Sequence, residues 1–92
     1  MAELASVKTI VHGRVTGIGF RAFVEMKAQG LGLKGYVRNV ERAVEMEAEG
    51  EKDKLEQLIG FIQAGPRLAR VESVDVEWSE YRGQYSDFTV RR

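Results

Sequence analysis

Three glycines in seven positions, Gly13, Gly17 and Gly19, are interleaved with Arg14, Val15, Thr16 and Ile18 and followed by Phe20-Arg21. A backbone this rich in glycine curls tightly and can turn several N–H groups toward one point. A helical pattern begins near Arg21, and a helix start adds unpaired N–H groups and a partial positive charge. An arginine in that first turn is repelled by the dipole, at a cost of a few tenths to ~1 kcal/mol. An anion held between the two turns the repulsion into attraction. The stretch Gly13, Arg14, Val15, Thr16, Gly17 and Ile18 therefore reads as a cradle for a phosphate-like group, with Arg21 as its clamp. The plainer alternative is a glycine-rich connector with a solvated arginine.

Asn39 is the second candidate. It falls near the end of a strand-like run, where asparagine is disfavoured. Either it closes a turn through a side-chain-to-backbone bond, or it faces the helix start that carries Arg21. His12, the sole histidine, precedes the cradle and has the chemistry of a base or phosphoryl acceptor. A lone histidine at a strand end is, however, more often solvated or packed. Arg14 either tunes a bound anion or sits in solvent, and Arg38 belongs to the strand face opposite Asn39. Glu45, Glu47 and Glu49 alternate with Val44, Met46 and Ala48, which reads as a solvated strand face rather than a metal site.

Two nucleotide-binding motifs come near this loop, and neither fits it. Gly17-Ile18-Gly19-Phe20-Arg21-Ala22 matches the G-x-G-x-x-A form of the dinucleotide fingerprint, with Glu41 further along. That fingerprint needs a second strand parallel to the first, whereas a hairpin follows here. No Gly-Lys-Ser/Thr follows the glycines, so the loop is not a Walker A motif.

The elements that must position these residues follow from periodicity. Val7 to Val11 is β-rich and precedes the cradle. Phe20, Phe23, Val24, Ala28 and Leu31 fall at helical spacings, with Gly30 and Gly32 ending the helix and Gly32 suited to a left-handed cap. Strands are predicted through Gly35–Val40 and Ala43–Ala48, separated by Glu41-Arg42 alone, which implies a tight hairpin. Gly50 is expected to break the third strand. Leu55, Leu58, Ile59 and Ile62 predict a second helix with Glu51 and Asp53 in its first turn and Gly65-Pro66 as its stop. Val74, Val76 and Trp78 alternate with Asp75 and Glu77 as a fourth strand, and Phe88 and Val90 mark a short terminal one. The order is βαββαβ with an extra strand. It predicts an α+β, ferredoxin-like sandwich, an antiparallel sheet with two helices on one face. In that arrangement the start of the first helix and the end of the second strand face the same end of the sheet.

Composition bounds the function. The 92 residues read as one domain over 1–92, with 43% hydrophobic and 30% charged residues, an ordinary globular balance. The absence of cysteine excludes disulfides, thiolate catalysis and cysteine-ligated metals. Fourteen basic and fourteen acidic residues cancel, which disfavours generic nucleic-acid binding. No apolar run approaches the ~20 residues of a membrane span. Met1-Ala2-Glu3-Leu4 lacks the basic and apolar regions of a secretory signal. A cytoplasmic location is expected.

One resemblance covers nearly the whole chain. Val11, Gly13, Val15, Gly17, Phe20 and Arg21, then Ala28, Leu31, Gly32, Leu33, Gly35, Val37, Arg38 and Asn39, form a pattern that resembles the acylphosphatase signature. Val44-Glu45, Gly50, Gly65-Pro66, Ala69–Val71 and Phe88 fall in the family's order. The resemblance implies that Arg21 and the backbone amides of Gly13 to Ile18 bind a phosphoryl group while Asn39 orients the attacking water. It implies hydrolysis of small acyl phosphates to carboxylate and inorganic phosphate, by direct water attack without metal or cofactor. The implied partners are the acyl phosphate and inorganic phosphate as product and inhibitor, with no nucleic acid or membrane, on a monomer. Two departures stand out. Thr16 replaces the family's usual glutamine. Asn39 is followed by Val40-Glu41-Arg42-Ala43-Val44, one residue shorter than the family's segment and without its Asp-Gly turn. A catalytically weak phosphate- or ligand-binding regulatory module on the same fold remains the alternative. An RNA-binding domain of this fold would want exposed aromatics and a basic surface, which the neutral charge argues against.

Overall fold

Val7, Thr9 and Val11 are fully buried and alternate with more exposed neighbours, so one face of the first strand, β1 (Leu4–Arg14), lies against the helices. In the computed structural model, which describes residues 2–91, this strand is central to a five-stranded sheet. The remaining elements follow as α1 (Phe20–Gly30), β2 (Lys34–Val40), β3 (Ala43–Glu51), α2 (Lys52–Ala64), β4 (Arg70–Ser79) and β5 (Phe88–Arg91). The sheet order is β4-β1-β3-β2-β5. Its pairs are antiparallel except at one edge, where β5 runs parallel to β2. That edge corrects the expectation of a wholly antiparallel sheet.

Both helices pack on one face. Phe20, Val24 and Ala28 of α1 and Leu55, Leu58, Ile59 and Ile62 of α2 bury the stripes that their spacing foretells. Each large side chain removed from water there contributes roughly 1.5–3 kcal/mol before the entropy of ordering is subtracted. The end of α1 is a Schellman motif. Leu33 N–H donates to Ala28 O and Gly32 N–H to Gln29 O, while Gly32 takes φ 72° and Leu33 is buried. The chain thereby reverses directly into β2, which carries Asn39.

Three sequence expectations change here. Gly50 does not break β3, which runs on to Glu51; a Cβ at Gly50 would stand 2.6 Å from Leu33 Cδ2, so the glycine makes room for a core leucine. Glu51 consequently ends the strand and caps α2 rather than lying in its first turn. The acidic face of β3 is not a wet one, for Glu45 and Glu49 are 7% and 1% exposed. Glu49 accepts backbone N–H bonds from Arg82, Gly83 and Gln84 at 2.9–3.1 Å, and Glu47 accepts from Gln84 Nε2 and the Tyr85 hydroxyl. The segment between β4 and β5 is thus strapped across the open side of the sheet. Burial and Glu47 push the Tyr85 hydroxyl up to about 12, which keeps it a donor.

Glu45 completes this layer. It accepts from the Tyr36 hydroxyl at 2.8 Å and from Arg38 Nε at 2.7 Å, with Lys8 Nζ at 3.6 Å. Burial pushes its carboxyl up, but the Arg38 and Tyr36 hydrogen bonds outweigh it, and the group ends below its ordinary value. Arg38 is thereby held on the open face of β2, and its neighbour Asn39 is turned to the helix side.

Candidate active site

The junction between β1 and α1 is where backbone donors collect. Gly17 and Gly19 take φ 72° and 80°, left-handed values that cost other residues ~1–2 kcal/mol. Gly19 is the N-cap of α1 and provides no side-chain cap, and the first turn holds no acidic residue. The first intrahelical bond is Phe23 N–H to Gly19 O at 3.0 Å. Among the described residues, no backbone N–H from Thr16 to Ala22 donates to another protein group. Such a run of donors at a helix N-terminus is built to receive an anion.

These donors border an open recess of about 470 Å³. Val15, Gly17 and Gly19 line it from the loop, Phe20, Arg21, Ala22 and Glu25 from α1, Asn39 from β2, and Thr89 and Val90 from β5. Arg21 and Asn39, the two residues proposed to act on substrate, thus share one recess although they lie on separate elements. Arg21 is half-buried and has no ion pair among the described residues. Asn39 pairs with Val44 in the hairpin ladder, one register step inside Val40 and Ala43, and its side chain makes no hydrogen bond to the turn. The turn itself closes with Glu41 at φ 57°. Closing the hairpin therefore does not use the Asn39 side-chain amide.

Not every candidate sits in the loop as expected. Gly13 and Arg14 are the last residues of β1, paired with Val71 and Arg70 across a bulge after His12. A Cβ on Gly13 would stand 2.1 Å from Arg70 O, so this glycine allows a close strand approach. Both line a second recess with His12, Glu41 and Arg42. His12 contacts Asp75 at 3.0 Å and lines the second recess, not the one that holds Arg21 and Asn39. Thr16 and Ile18 are in the loop, and Ile18 packs its side chain against the core, leaving its N–H on the donor run. Sequence reasoning missed Glu25, Thr89 and Val90. Glu25 lies one helical turn after Arg21, a spacing that by itself does not separate it from a solvated helix charge, whereas the β5 residues reach the site only through the parallel pairing with β2.

A donor-rich loop, a helix-start arginine and an asparagine on β2 thus border one recess of an α+β fold. Residues 7–90 match the acylphosphatase family model. Over 99% of both chains the sequence is 47% identical to an acylphosphatase of Anaeromyxobacter sp. strain Fw109-5. Among solved structures, an acylphosphatase from Coxiella burnetii superposes with TM-score 0.90 at 37% identity, covering 97% of this chain and 94% of that one. The acylphosphatase from Bacillus subtilis gives TM-score 0.92 at 31% identity, over 96% and 99%. The chain belongs to the acylphosphatase family.

Proposed function

We propose that this chain hydrolyses small acyl phosphates at the Arg21–Asn39 recess, yielding a carboxylate and inorganic phosphate. The observation that carries the reading is that Arg21, Asn39 and the residues Gly17, Gly19, Phe20 and Ala22, whose amides have no protein acceptor among the described residues, line one recess. The Arg21 guanidinium grips two phosphoryl oxygens through its planar fork, and the loop amides take the remaining charge. Asn39 holds a water in line with the bond to be broken. The water oxygen bonds to phosphorus and the P–O bond to the acyl oxygen breaks. Its electron pair leaves on the carboxylate, and the water's hydrogens remain on the phosphate. A carboxylate leaving group has a pKa near ~4 and needs no general acid. Phosphoryl transfer through a loose transition state is chiefly positioning and charge stabilisation, so this small set of groups is sufficient. Among the described residues no group of His, Cys, Asp or Glu is arranged to hold a metal ion, and the proposed step uses none.

The reading is of a monomer acting on a free small-molecule substrate without nucleic acid or membrane; the balanced charge of the chain supports the exclusion of nucleic acid. No described helix is long and apolar enough to cross a membrane, and the cysteine-free chain suits the cytoplasm. The test is benzoyl phosphate hydrolysis in the presence of a chelator. Turnover with competitive inhibition by inorganic phosphate is expected; phosphate binding without turnover would favour the regulatory module instead.

A further inference from the structure

The recess contains one carboxylate that the proposed reaction does not use. Among the described residues, Glu25 is its only acidic lining residue and Arg21 its only cation. The two stand at i and i+4 on α1, a spacing that brings side chains together, yet no ion pair joins them. Arg21 is therefore left for the phosphoryl group, and Glu25 has no ion-pair partner among the described residues. The phosphoryl end is fixed by the donors at the start of α1. Glu25 lies ~6 Å further along the helix axis than Arg21 and lines the recess together with Ala22, Thr89 and Val90. The wall there is otherwise small or apolar, so it suits the acyl end of the substrate.

We infer that Glu25 sets the charge preference for the acyl group, admitting uncharged or cationic acyl phosphates and opposing those that carry a second anion. This rests on the hydrolase reading above. Like charges ~7 Å apart near a protein surface change binding by about three- to tenfold, and the effect declines with salt.

The experiment compares benzoyl phosphate with succinyl phosphate, which adds a carboxylate, on the wild type, Glu25→Gln and Glu25→Lys. The readout is the succinyl-to-benzoyl ratio of kcat/KM. The ratio is expected to rise about three- to tenfold in Glu25→Gln and further in Glu25→Lys, with the change in KM for succinyl phosphate. In the wild type alone, raising the ionic strength lifts the ratio. A ratio that stays within twofold across all three proteins and all salt concentrations overturns the inference while leaving the hydrolase reading intact. Failure of the wild type to turn over benzoyl phosphate overturns that reading, and the inference with it.

Discussion

Arg21 occupies the second helical position of α1, where a cation faces the positive end of the helix dipole. The misplacement is what makes it legible in the sequence, because an arginine there needs an anion to justify its position. Lysine would keep the charge but lose the planar fork. Arg21→Lys is expected to remove most turnover, and near wild-type kcat in that variant would contradict the clamp role. Asn39 was legible as an oddity in a strand, but its two readings were separable only once its side chain was found without a bond to the turn. Asn39→Ala is expected to lower kcat by ~10²-fold or more through loss of water positioning, with the phosphate inhibition constant and Tm little changed. A destabilised variant with normal kcat would make Asn39 a turn residue. Glu25 escaped the motif reading because nothing in its local sequence distinguishes it from a solvated helix charge.

Between residues and fold, the hairpin of β2 and β3 shows how far local pattern carries. A two-residue turn follows from strand-like runs that leave only Glu41-Arg42 between them, and Val40 does pair with Ala43. What this turn lacks is a residue suited to its backbone. Glu41 adopts φ 57°, a region where side chains other than Asn, Asp and Gly are disfavoured. Glu41→Asn is expected to stabilise the protein by about 0.5–1 kcal/mol, read as a higher urea midpoint at unchanged m-value, while kcat stays the same. No gain in the midpoint would show that the turn is unstrained. By contrast, the continuation of β3 through Gly50 depends on Leu33, which returns from the end of α1. The burial of Glu49 depends on donors at 82–84. Alternating glutamates look solvated until a distant segment crosses over them, so local alternation could not reveal either.

Across the whole molecule, the two sides of the sheet divide the labour. The helix side holds the apolar core and the recess, while the open side holds the charged layer of Glu45, Arg38 and Tyr36 that fixes the orientation of β2. The Glu45 carboxyl lies below its ordinary value of 4.5, so the unfolded chain binds more protons than the native one through that range. Its stabilisation is therefore present above the unfolded value and lost as pH falls through the folded one. Urea unfolding from pH 6 down to pH 3 is expected to show this acid loss, with a shallower slope in Glu45→Gln; equal slopes would remove Glu45 from the account. The order of elements was readable from periodicity alone, but the parallel docking of β5 beside β2 was not, since the strand's four residues carry no direction. That docking supplies the second wall of the recess. The central claim, that the amides of the loop and helix start receive the phosphoryl group, is tested most directly by following backbone amide NMR shifts during titration with inorganic phosphate. Saturable shifts confined to Thr16–Ala22 and the Asn39 side chain are expected. Shifts centred on His12, Arg14 and Arg42, or no saturable shift at all, would contradict it.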